Sequence, residues 1–348
     1  MKVLVTGANG FLGREVVAAL VADGHEVRAL VRPSTDVARL SWGSTVDVAR
    51  ADLRAGTELA PLFLGVEAVV HLATQMTGDD AAILTGTLVG TERLLAAMAA
   101  SPAKRLILCS SFSVYDWLRV GSVLDDDSPL PADIWPSGAY AAAKSWQERL
   151  ARRLAEQYGW KLTVLRPGFV WGRGNDDLAC IGQRLGRWQF VFGPLRRLPL
   201  THVQNCADAF RAVLANEASV GDTLNVVDAL GTTAARYASE QRYGSGRGGL
   251  ALWIPFWAVR AFVWFANRFA RFVFGERYRL PSMFVPTRFD LRYKPVDATS
   301  TGLRKKLGWR APKSFKECAR ATWGPESETS APVPAAVTVA IDERRDAA

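Results

Sequence analysis

Short apolar runs alternate along the first half of the chain with longer stretches in which apolar residues recur at helical spacing. The short runs predict strands at residues 2–6, 26–31, 68–72, 105–110 and 161–165. The longer stretches predict helices at residues 11–23, 87–100 and 140–158. Because strands that are apolar on both faces need helices on both faces, the pattern predicts an α/β fold with a doubly wound parallel sheet. A ligand would then lie at the carboxyl ends of the strands.

A glycine-rich turn follows the first predicted strand and opens the first predicted helix. Gly7 permits a tight turn, Gly10 lets the backbone approach a pyrophosphate, and Gly13 lets the helix pack on the strand. The helix begins with Phe11 and Leu12, so its free amides would face the phosphates. The turn predicts a dinucleotide site in a Rossmann sheet, with a merely tight strand-to-helix turn as the alternative.

The second predicted strand ends in Val31 and Arg32, where an NAD site usually carries an acidic residue for the ribose 2′-hydroxyl. A guanidinium can pair with a 2′-phosphate through two parallel hydrogen bonds. The sequence therefore favours NADP(H) over NAD(H). The alternative is that Arg32 is a solvated charge at a strand end.

The alternation weakens after about residue 172, where arginine, tryptophan and phenylalanine become frequent. We expect residues 1–172 to form the dinucleotide-binding core and residues 173–324 to form mainly a smaller C-terminal substrate-binding region. Residues 201–214 and 222–227 still have the pattern of a helix lead-in and a strand, so the two regions should interleave. Residues 325–348 are rich in Pro, Ser, Thr, Ala and charge, which predicts a disordered tail.

Charge and cysteine usage narrow the function classes. The formal net charge of +9 is spread through helices and the C-terminal half, so we expect no nucleic-acid partner. The four cysteines have no metal-ligand spacing, and no metal site is predicted. His71 and His202 are expected to be hydrogen-bonded structural residues. Met1 leads directly into the first strand, which predicts a cytoplasmic location.

A tyrosine and a lysine are spaced one helical turn apart on the helix predicted at residues 140–158. Tyr140 and Lys144 would lie on one face, where the positive charges of the ammonium and of a bound nicotinamide are expected to lower the pKa of the phenol for proton transfer. Ser110 and Ser111 end the strand at residues 105–110 and would present hydroxyls to a substrate oxygen. Ser111 is the candidate for that role, although spacing alone does not separate it from Ser110, and both serines could merely cap the following loop.

These motifs together resemble the extended short-chain dehydrogenase/reductase group, which includes nucleotide-sugar epimerases and 3β-hydroxysteroid dehydrogenases. The resemblance covers residues 1–323. Beyond the glycine turn, the matching segments are Asp52-Leu53, His71-Leu72-Ala73, Gly90-Thr91, Ser110-Ser111 with Val114-Tyr115, Tyr140 to Lys144, Leu165-Arg166-Pro167-Gly168 with Val170-Trp171-Gly172, His202-Val203 with Asn205 and Asp208, and Leu307-Gly308-Trp309.

The resemblance implies a role for each matched position. Tyr140 would be the acid/base, Lys144 would hold the ribose and lower the phenol pKa, and Ser111 would fix the substrate oxygen. The further positions that it implies for cofactor contact are Asp52, Leu53, Leu72, Ala73, Pro167 and Gly168.

Two positions depart from the family pattern. Thr87 stands where asparagine is frequent, and Asp116 replaces the glycine that commonly follows Val-Tyr. Because of these departures, the resemblance does not determine the conformation of the local loop or the class of substrate.

Residues 250–275 are rich in aromatic residues and arginine. On a helix, Arg260, Asn267, Arg268 and Arg271 would share one face, and Phe262, Phe265, Phe269, Phe272 and Val273 would cover the opposite one. Such a helix suits peripheral membrane contact through residues 253–275, closure of a pocket or core packing, and homodimerisation.

The favoured function is an NADP(H)-dependent oxidoreductase that interconverts an alcohol and a ketone on a hydrophobic, sterol- or lipid-like substrate. Two alternatives remain open at this stage. One is a nucleotide-sugar epimerase of the same fold, and the other is a non-catalytic, membrane-associated dinucleotide-binding protein.

Overall fold

The computed structural model describes residues 1–325 except residues 41, 229–230, 247–248 and 276–280, and leaves out the side chain of residue 282. Nearly all of the tail predicted to be disordered therefore lies outside the described residues. The strands are β1 Lys2–Thr6, β2 Glu26–Val31, β3 Val46–Arg50, β4 Ala68–His71, β5 Arg105–Cys109, β6 Val123–Leu124, β7 Lys161–Pro167, β8 Phe169–Trp171, β9 Gly182–Leu185, β10 Trp188–Phe192, β11 Leu200–His202, β12 Thr223–Val226, β13 Leu250–Ile254 and β14 Asp297–Ala298. The helices are α1 Phe11–Ala22, α2 Asp80–Ala99, α3 Ala139–Tyr158, α4 Val203–Ala215, α5 Ala234–Gly244, α6 Phe256–Phe274, α7 Pro286–Tyr293, α8 Thr301–Leu307 and α9 Phe315–Trp323.

A seven-stranded sheet forms the centre of the molecule, with parallel strands in the order β12-β7-β5-β4-β1-β2-β3. Successive side chains of a strand point to opposite faces. Val3 and Val5 accordingly join the core under α1 and α4, whereas Leu4 joins the core under α2 and α3. Apolar residues on both faces of each strand thus require helices on both sides. The doubly wound Rossmann-type fold predicted from the sequence is confirmed.

The sequence pattern predicted neither the strand β3 nor the residue at which α2 begins. β3 is an edge strand with a largely half-exposed pattern, so it lacks the apolar run that marks the central strands. α2 begins at Asp80 rather than at residue 87, because the Asp79 carboxylate accepts the Ala82 amide at 2.7 Å and starts the helix earlier. Of the helices in the described part of the chain, α2 alone has the length and mean hydropathy of a membrane span, and it packs against α3.

The second half of the chain contributes to both the central layer and a smaller outer layer. β12 pairs with β7 in the main sheet, and α4 packs on α1. The outer layer contains the three-stranded sheet β13-β10-β9 and the two-stranded pairs β11-β8 and β14-β6. α6 packs on α7, which in turn contacts the turn at Trp135–Ser137 that precedes α3.

α6 does not bury the aromatic face that was predicted either to pack on the core or to close a pocket. Its buried residues are Val263 and Ala270, and Asn267 donates to the Phe284 carbonyl at 3.2 Å. Arg260 pairs with the buried Asp290 through two contacts of 3.1 Å. The five apolar residues predicted for one face are instead between 49% and 88% exposed, namely Phe262, Phe265, Phe269, Phe272 and Val273. The expectation that this face packs on the core or closes a pocket is therefore wrong, apart from the contact of Phe262 with Phe284, because the other side of the helix makes the inward contacts through Phe256, Val263 and Ala270.

Candidate active site at the carboxyl ends of the strands

The glycine turn between β1 and α1 is tight enough to require its glycines. Gly7 has φ +68°, and a Cβ there would lie 2.9 Å from the Ala73 amide nitrogen. A Cβ on Gly13 would lie 2.1 Å from the Gly7 carbonyl oxygen. A Cβ on Gly10 would approach the same oxygen at 3.1 Å. The turn therefore brings the start of α1 close to the end of β4.

The start of α1 has the properties of a phosphate-binding helix end. Gly10 provides no side-chain cap, and no acidic residue lies in the first turn of α1. The amides at Phe11 and Leu12 and the positive end of the helix dipole therefore suit an anionic ligand. Leu72 and Ala73 are half-buried beside the turn, and the Ala73 amide donates to Thr6 Oγ1 at 3.2 Å. These residues fit a dinucleotide.

A buried polar network fixes the floor of this crevice. Nδ1 of His71 lies 2.7 Å from Thr6 Oγ1, and its Nε2 lies 3.0 Å from Thr91 Oγ1. Gln147 Nε2 donates to the same threonine at 2.6 Å. Burial, together with the positive charge of nearby Lys144, lowers the pKa of His71 to about 3. His71 is thus neutral and hydrogen-bonded, in agreement with the structural role predicted for it.

The start of α3 brings the predicted catalytic side chains together. Tyr140 is half-buried, and its phenol lies close enough to the Ser111 side chain for that side chain to influence its pKa. Lys144, one turn further, is buried and donates from Nζ to the Cys109 carbonyl at 2.9 Å. Lys144 bonds to the carbonyl at the end of β5, and β5, β4 and β1 are neighbouring parallel strands, so the ammonium lies at the same end of the sheet as the glycine turn that follows β1.

The pKa of the phenol differs from the expectation. Burial raises the pKa of Tyr140 above its usual value, with a further contribution from nearby Cys109, and the proximity of the Ser111 side chain only partly opposes this. Burial also lowers the pKa of Lys144. In the protein alone the phenol pKa is thus raised, and its lowering by Lys144 together with a bound nicotinamide stays a prediction. Tyr140 holds its proton at neutral pH.

The two serines after β5 have different surroundings. The Ser110 hydroxyl is buried and donates to Glu148 Oε1. The Ser111 hydroxyl accepts the Ser113 amide at 3.1 Å and lies near the Tyr140 phenol. The core thus occupies the Ser110 hydroxyl, and the role of Ser111 toward a substrate oxygen stays a prediction.

A buried ion pair beneath the serines was not identified from the sequence pattern. Arg166 donates from Nε and Nη2 to the two carboxylate oxygens of Glu148 at 2.9 and 2.7 Å. Its guanidinium also lies 4.7 Å from the centre of the Tyr115 ring, and the Tyr115 hydroxyl donates to Asn225 at 2.7 Å. Two features of the sequence could have predicted this ion pair, namely an arginine inside an apolar strand and a glutamate one helical turn after Lys144.

The end of β7 lies against the next connection of the chain. Pro167 is buried as the last residue of β7, and a Cβ on Gly168 would lie 2.2 Å from the Pro199 carbonyl oxygen. The Gly168 amide donates to the Val226 carbonyl at 3.0 Å. The backbone here is therefore fixed at the same sheet edge as Ser111, as the assigned cofactor contact of Pro167 and Gly168 would require.

The outer end of the crevice carries three arginines and one carboxylate. Arg32 is exposed at the end of β2, close enough to Asp52 for its charge to lower the Asp52 pKa. Hydrogen bonds from Arg54, with its Nη2 at 2.8 Å, are the main cause that lowers the pKa of Asp52 to about 2. Leu53 is half-buried against α2, and Arg93 donates to its carbonyl at 3.3 Å. The negative charge of Asp52 is therefore compensated mainly by Arg54.

Both departures from the family pattern have local hydrogen-bonding roles. The Thr87 hydroxyl accepts the Gln75 amide at 3.0 Å and lies 3.2 Å from the Thr74 hydroxyl, which fixes the loop after β4. The Asp116 carboxylate accepts the Leu118 amide at 3.2 Å and starts the turn after Tyr115.

A second buried polar cluster lies behind the site. The Asp228 carboxylate accepts the His202 amide at 2.8 Å and the Asn205 side chain at 2.9 Å. Nε2 of His202 lies 3.3 Å from the Thr322 hydroxyl, so His202 is also hydrogen-bonded as predicted. Within the described ranges, no three His, Cys, Asp or Glu side chains cluster so that they could hold a metal ion.

Comparison with known proteins places the fold and motifs in one family. Residues 3–226 match the model described as NAD dependent epimerase/dehydratase family. A 4-hydroxy-2-methyl-3-oxo-4-farnesyl-3,4-dihydroquinoline-1-oxide ketoreductase of Stigmatella aurantiaca is 32% identical over 60% of this chain and 63% of its own length. Sterol demethylase protein B of Methylococcus capsulatus is 37% identical over 56% of this chain and 59% of its own length. The chain thus spans less than two thirds of these relatives.

A solved structure extends the likeness over most of the fold. The crystal structure of UDP-glucuronic acid 4-epimerase from Bacillus cereus in complex with NAD aligns with a TM-score of 0.68 over 93% of this chain and 96% of that chain. At 19% identity it supports the fold alone. The chain belongs to the NAD dependent epimerase/dehydratase family, and is of the extended short-chain dehydrogenase/reductase type that its motifs predicted.

Proposed function

We propose that this protein is an NADP(H)-dependent oxidoreductase that interconverts an alcohol and a ketone on a hydrophobic, sterol- or lipid-like substrate. The observation that carries the proposal is the convergence of three groups where β5 ends: the Ser111 side chain, the nearby Tyr140 phenol, and the buried Lys144, whose Nζ donates to the Cys109 carbonyl at 2.9 Å. These three groups share a sheet edge with a glycine turn suited to a dinucleotide.

Each of these side chains has a separate part in the reaction. When bound, the nicotinamide cofactor supplies or accepts the hydride at the substrate carbon. Ser111 donates a hydrogen bond to the ketone oxygen and orients it, and Tyr140 transfers its proton to that oxygen as the carbon is reduced. Lys144, held by the Cys109 carbonyl, stabilises the resulting phenolate. Oxidation of the alcohol reverses these transfers.

The substrate class is supported by the relatives and by the composition of the outer layer. One relative is named as a ketoreductase of a farnesyl-bearing quinoline oxide, and another is named for sterol demethylation. The outer layer of this chain is rich in tryptophan and phenylalanine, including Trp253 and Trp257. Both side chains are exposed, and an apolar surface of this kind suits an enzyme that takes an apolar ketone from lipid better than one that acts on a sugar nucleotide.

The preference for NADP(H) is supported by the charges at the end of β2. Arg32 is free to face a 2′-phosphate, while Arg54 compensates the charge of Asp52. Arg50 donates from Nη1 to the carbonyls of Pro33 and Thr35, both at 2.9 Å, and so fixes the loop that follows Arg32.

We also place this enzyme in the cytoplasm, at the inner face of a membrane that it contacts through residues 253–275. The exposure of the aromatic side chains of α6 supports this placement. Homodimerisation is the competing use of the same exposed side chains.

The central test is nicotinamide absorbance after hydrophobic ketones are added to the full chain with NADPH. We expect oxidation of NADPH by the wild type, and its loss in Tyr140→Phe with NADPH binding retained. Tyr243→Phe is the matched control, because it removes the hydroxyl of an exposed tyrosine on α5. Normal turnover by Tyr140→Phe would disprove the role of the phenol. Tight cofactor binding together with sugar-nucleotide epimerisation, and without net oxidation, would favour the epimerase alternative.

A further inference from the structure

α6 carries an aromatic ridge, which we define as Trp257, Trp264, Phe265, Phe269 and Phe272. These side chains are 73%, 59%, 64%, 56% and 88% exposed, respectively. The stripe that holds α6 to the protein is formed by other residues of the helix, including Val263 and Ala270. At 1.5 Å per residue the ridge extends about 22 Å along the surface. So many large exposed aromatic side chains on one helix, with Arg268 among them, are unusual for a free surface and mark an interaction site.

The charges around the ridge favour an anionic bilayer as its partner. Residues 250–275 contain three arginines and no acidic residue. Arg268 lies 6.0 Å from the centre of the Trp264 ring, and Arg271 is also exposed. Tryptophan and arginine side by side suit the boundary between headgroups and acyl chains, where the rings are buried and the cations meet phosphates.

A second copy of the chain is the weaker occupant. Packing one ridge against another would bring Arg268 and Arg271 of both copies together, and the segment supplies no carboxylate to pair with them. Such like charges would be desolvated at the interface at considerable cost.

The ridge connects to the active site through two packed elements. Arg260 of α6 pairs with Asp290 of α7. In α7, Thr287 donates to the Pro136 carbonyl at 3.0 Å. Its neighbour Arg288 lies against Gly138, which is the N-cap of α3 and lies two residues before Tyr140. A partner surface that contacts the ridge on α6 would therefore lie on the side of the protein where α3 begins.

We propose that the aromatic ridge seats this protein on an anionic bilayer, and that the hydrophobic substrate reaches Tyr140 from that bilayer. The docking step stands on the exposed ridge and its arginines. The delivery step rests on the proposed function, because it requires a ketone that partitions into lipid.

Docking is tested by sedimentation of the full chain with vesicles of phosphatidylcholine alone or mixed with phosphatidylglycerol. We expect binding to the mixed vesicles, and weakening by about tenfold for each phenylalanine removed in Phe265→Ser plus Phe269→Ser. Tyr243→Ser, which removes an exposed aromatic on α5, should bind as the wild type does. Arg268→Gln plus Arg271→Gln should weaken binding to the anionic vesicles, with Arg153→Gln on α3 as the control.

Three results would overturn docking. One is a wild type that binds no vesicles at low salt. Another is equal weakening by the ridge variant and Tyr243→Ser. The third is a lipid-free dimer that the ridge variant dissociates, which would assign the ridge to a second copy.

Delivery is tested by turnover of cholestenone carried in mixed vesicles against turnover of cyclohexanone in buffer. We expect the double phenylalanine variant to raise KM about tenfold for the vesicle-borne ketone and to leave the reduction of cyclohexanone unchanged, which also shows that the variant is folded. An unchanged KM despite lost vesicle binding would overturn delivery. Wild type that reduces neither ketone would overturn the proposed function and with it delivery, whereas vesicle binding would still decide docking.

Discussion

The Glu148 carboxylate forms ion pairs with two arginines, one buried and one exposed. Arg166 pairs with it in the core, where the side chain is 4% exposed, through contacts of 2.9 and 2.7 Å. Arg152 reaches it from the helix surface at 3.0 Å, and that side chain is 41% exposed. Arg166→Gln and Arg152→Gln therefore make the same chemical change to the same carboxylate in different dielectric surroundings.

We expect Arg166→Gln to lower the free energy of unfolding by about 3–5 kcal/mol, because it leaves the charge of Glu148 buried with poorer compensation. The variant also loses the contact between the guanidinium and the Tyr115 ring. Arg152→Gln should cost about 1 kcal/mol or less, because water and salt screen an exposed pair.

The pH dependence gives this prediction a second readout. Burial by itself would raise the pKa of Glu148, but hydrogen bonds and charge from Arg166 bring it below its ordinary value of 4.5. A carboxylate whose folded pKa is depressed stabilises the fold above its unfolded pKa, and that stabilisation is lost as pH falls through the folded pKa. The difference between wild type and Arg166→Gln should therefore be largest near neutrality and shrink below about pH 4.5.

Urea denaturation of the two variants and the wild type measures both effects. Equal losses for Arg166→Gln and Arg152→Gln would refute the argument from burial. A difference that stayed constant from about pH 7 down to about pH 3 would show that the loss does not come from the ionised pair.

Two further predictions concern the cofactor and the cluster behind the site. Arg32→Ala should weaken NADPH binding about tenfold or more and leave NADH binding nearly unchanged, measured by fluorescence titration. Arg39→Ala, at an exposed arginine just after this loop, is the control, and equal loss for both cofactors would contradict a contact with the 2′-phosphate. Burial raises the pKa of Asp228 from 3.8 to about 7, so between these values the folded state holds a proton that the unfolded state has released, and stability is lost as pH rises. The free energy of unfolding of Asp228→Asn, measured by thermal denaturation, should therefore rise relative to that of the wild type by up to about 1.4 kcal/mol per pH unit between about pH 4 and about pH 7. A difference that does not change with pH would argue against the titration of a buried Asp228.

The sequence alone determined the parts of this protein that depend on local geometry. Gly7, Gly10 and Gly13 follow an apolar strand and open a helix, and only glycine tolerates the positive φ and the close approach found at Gly7. Tyr140 and Lys144 share a helix face because four residues make one turn. The alternation of apolar runs and helical stretches fixed the doubly wound sheet, since each strand had to be covered on both faces.

The tertiary structure decided what depends on contacts between distant segments. Spacing could not separate Ser110 from Ser111, and only the approach of Glu148, held by Arg166 from β7, assigns the first hydroxyl to the core. The pattern of α6 was amphipathic with either face available for burial, and the face with Phe256, Val263 and Ala270 became the buried one, with the Phe256 ring stacked on Phe289 of α7. The sequence sets which surfaces a helix can offer, but the shape of its neighbour selects the one that is buried.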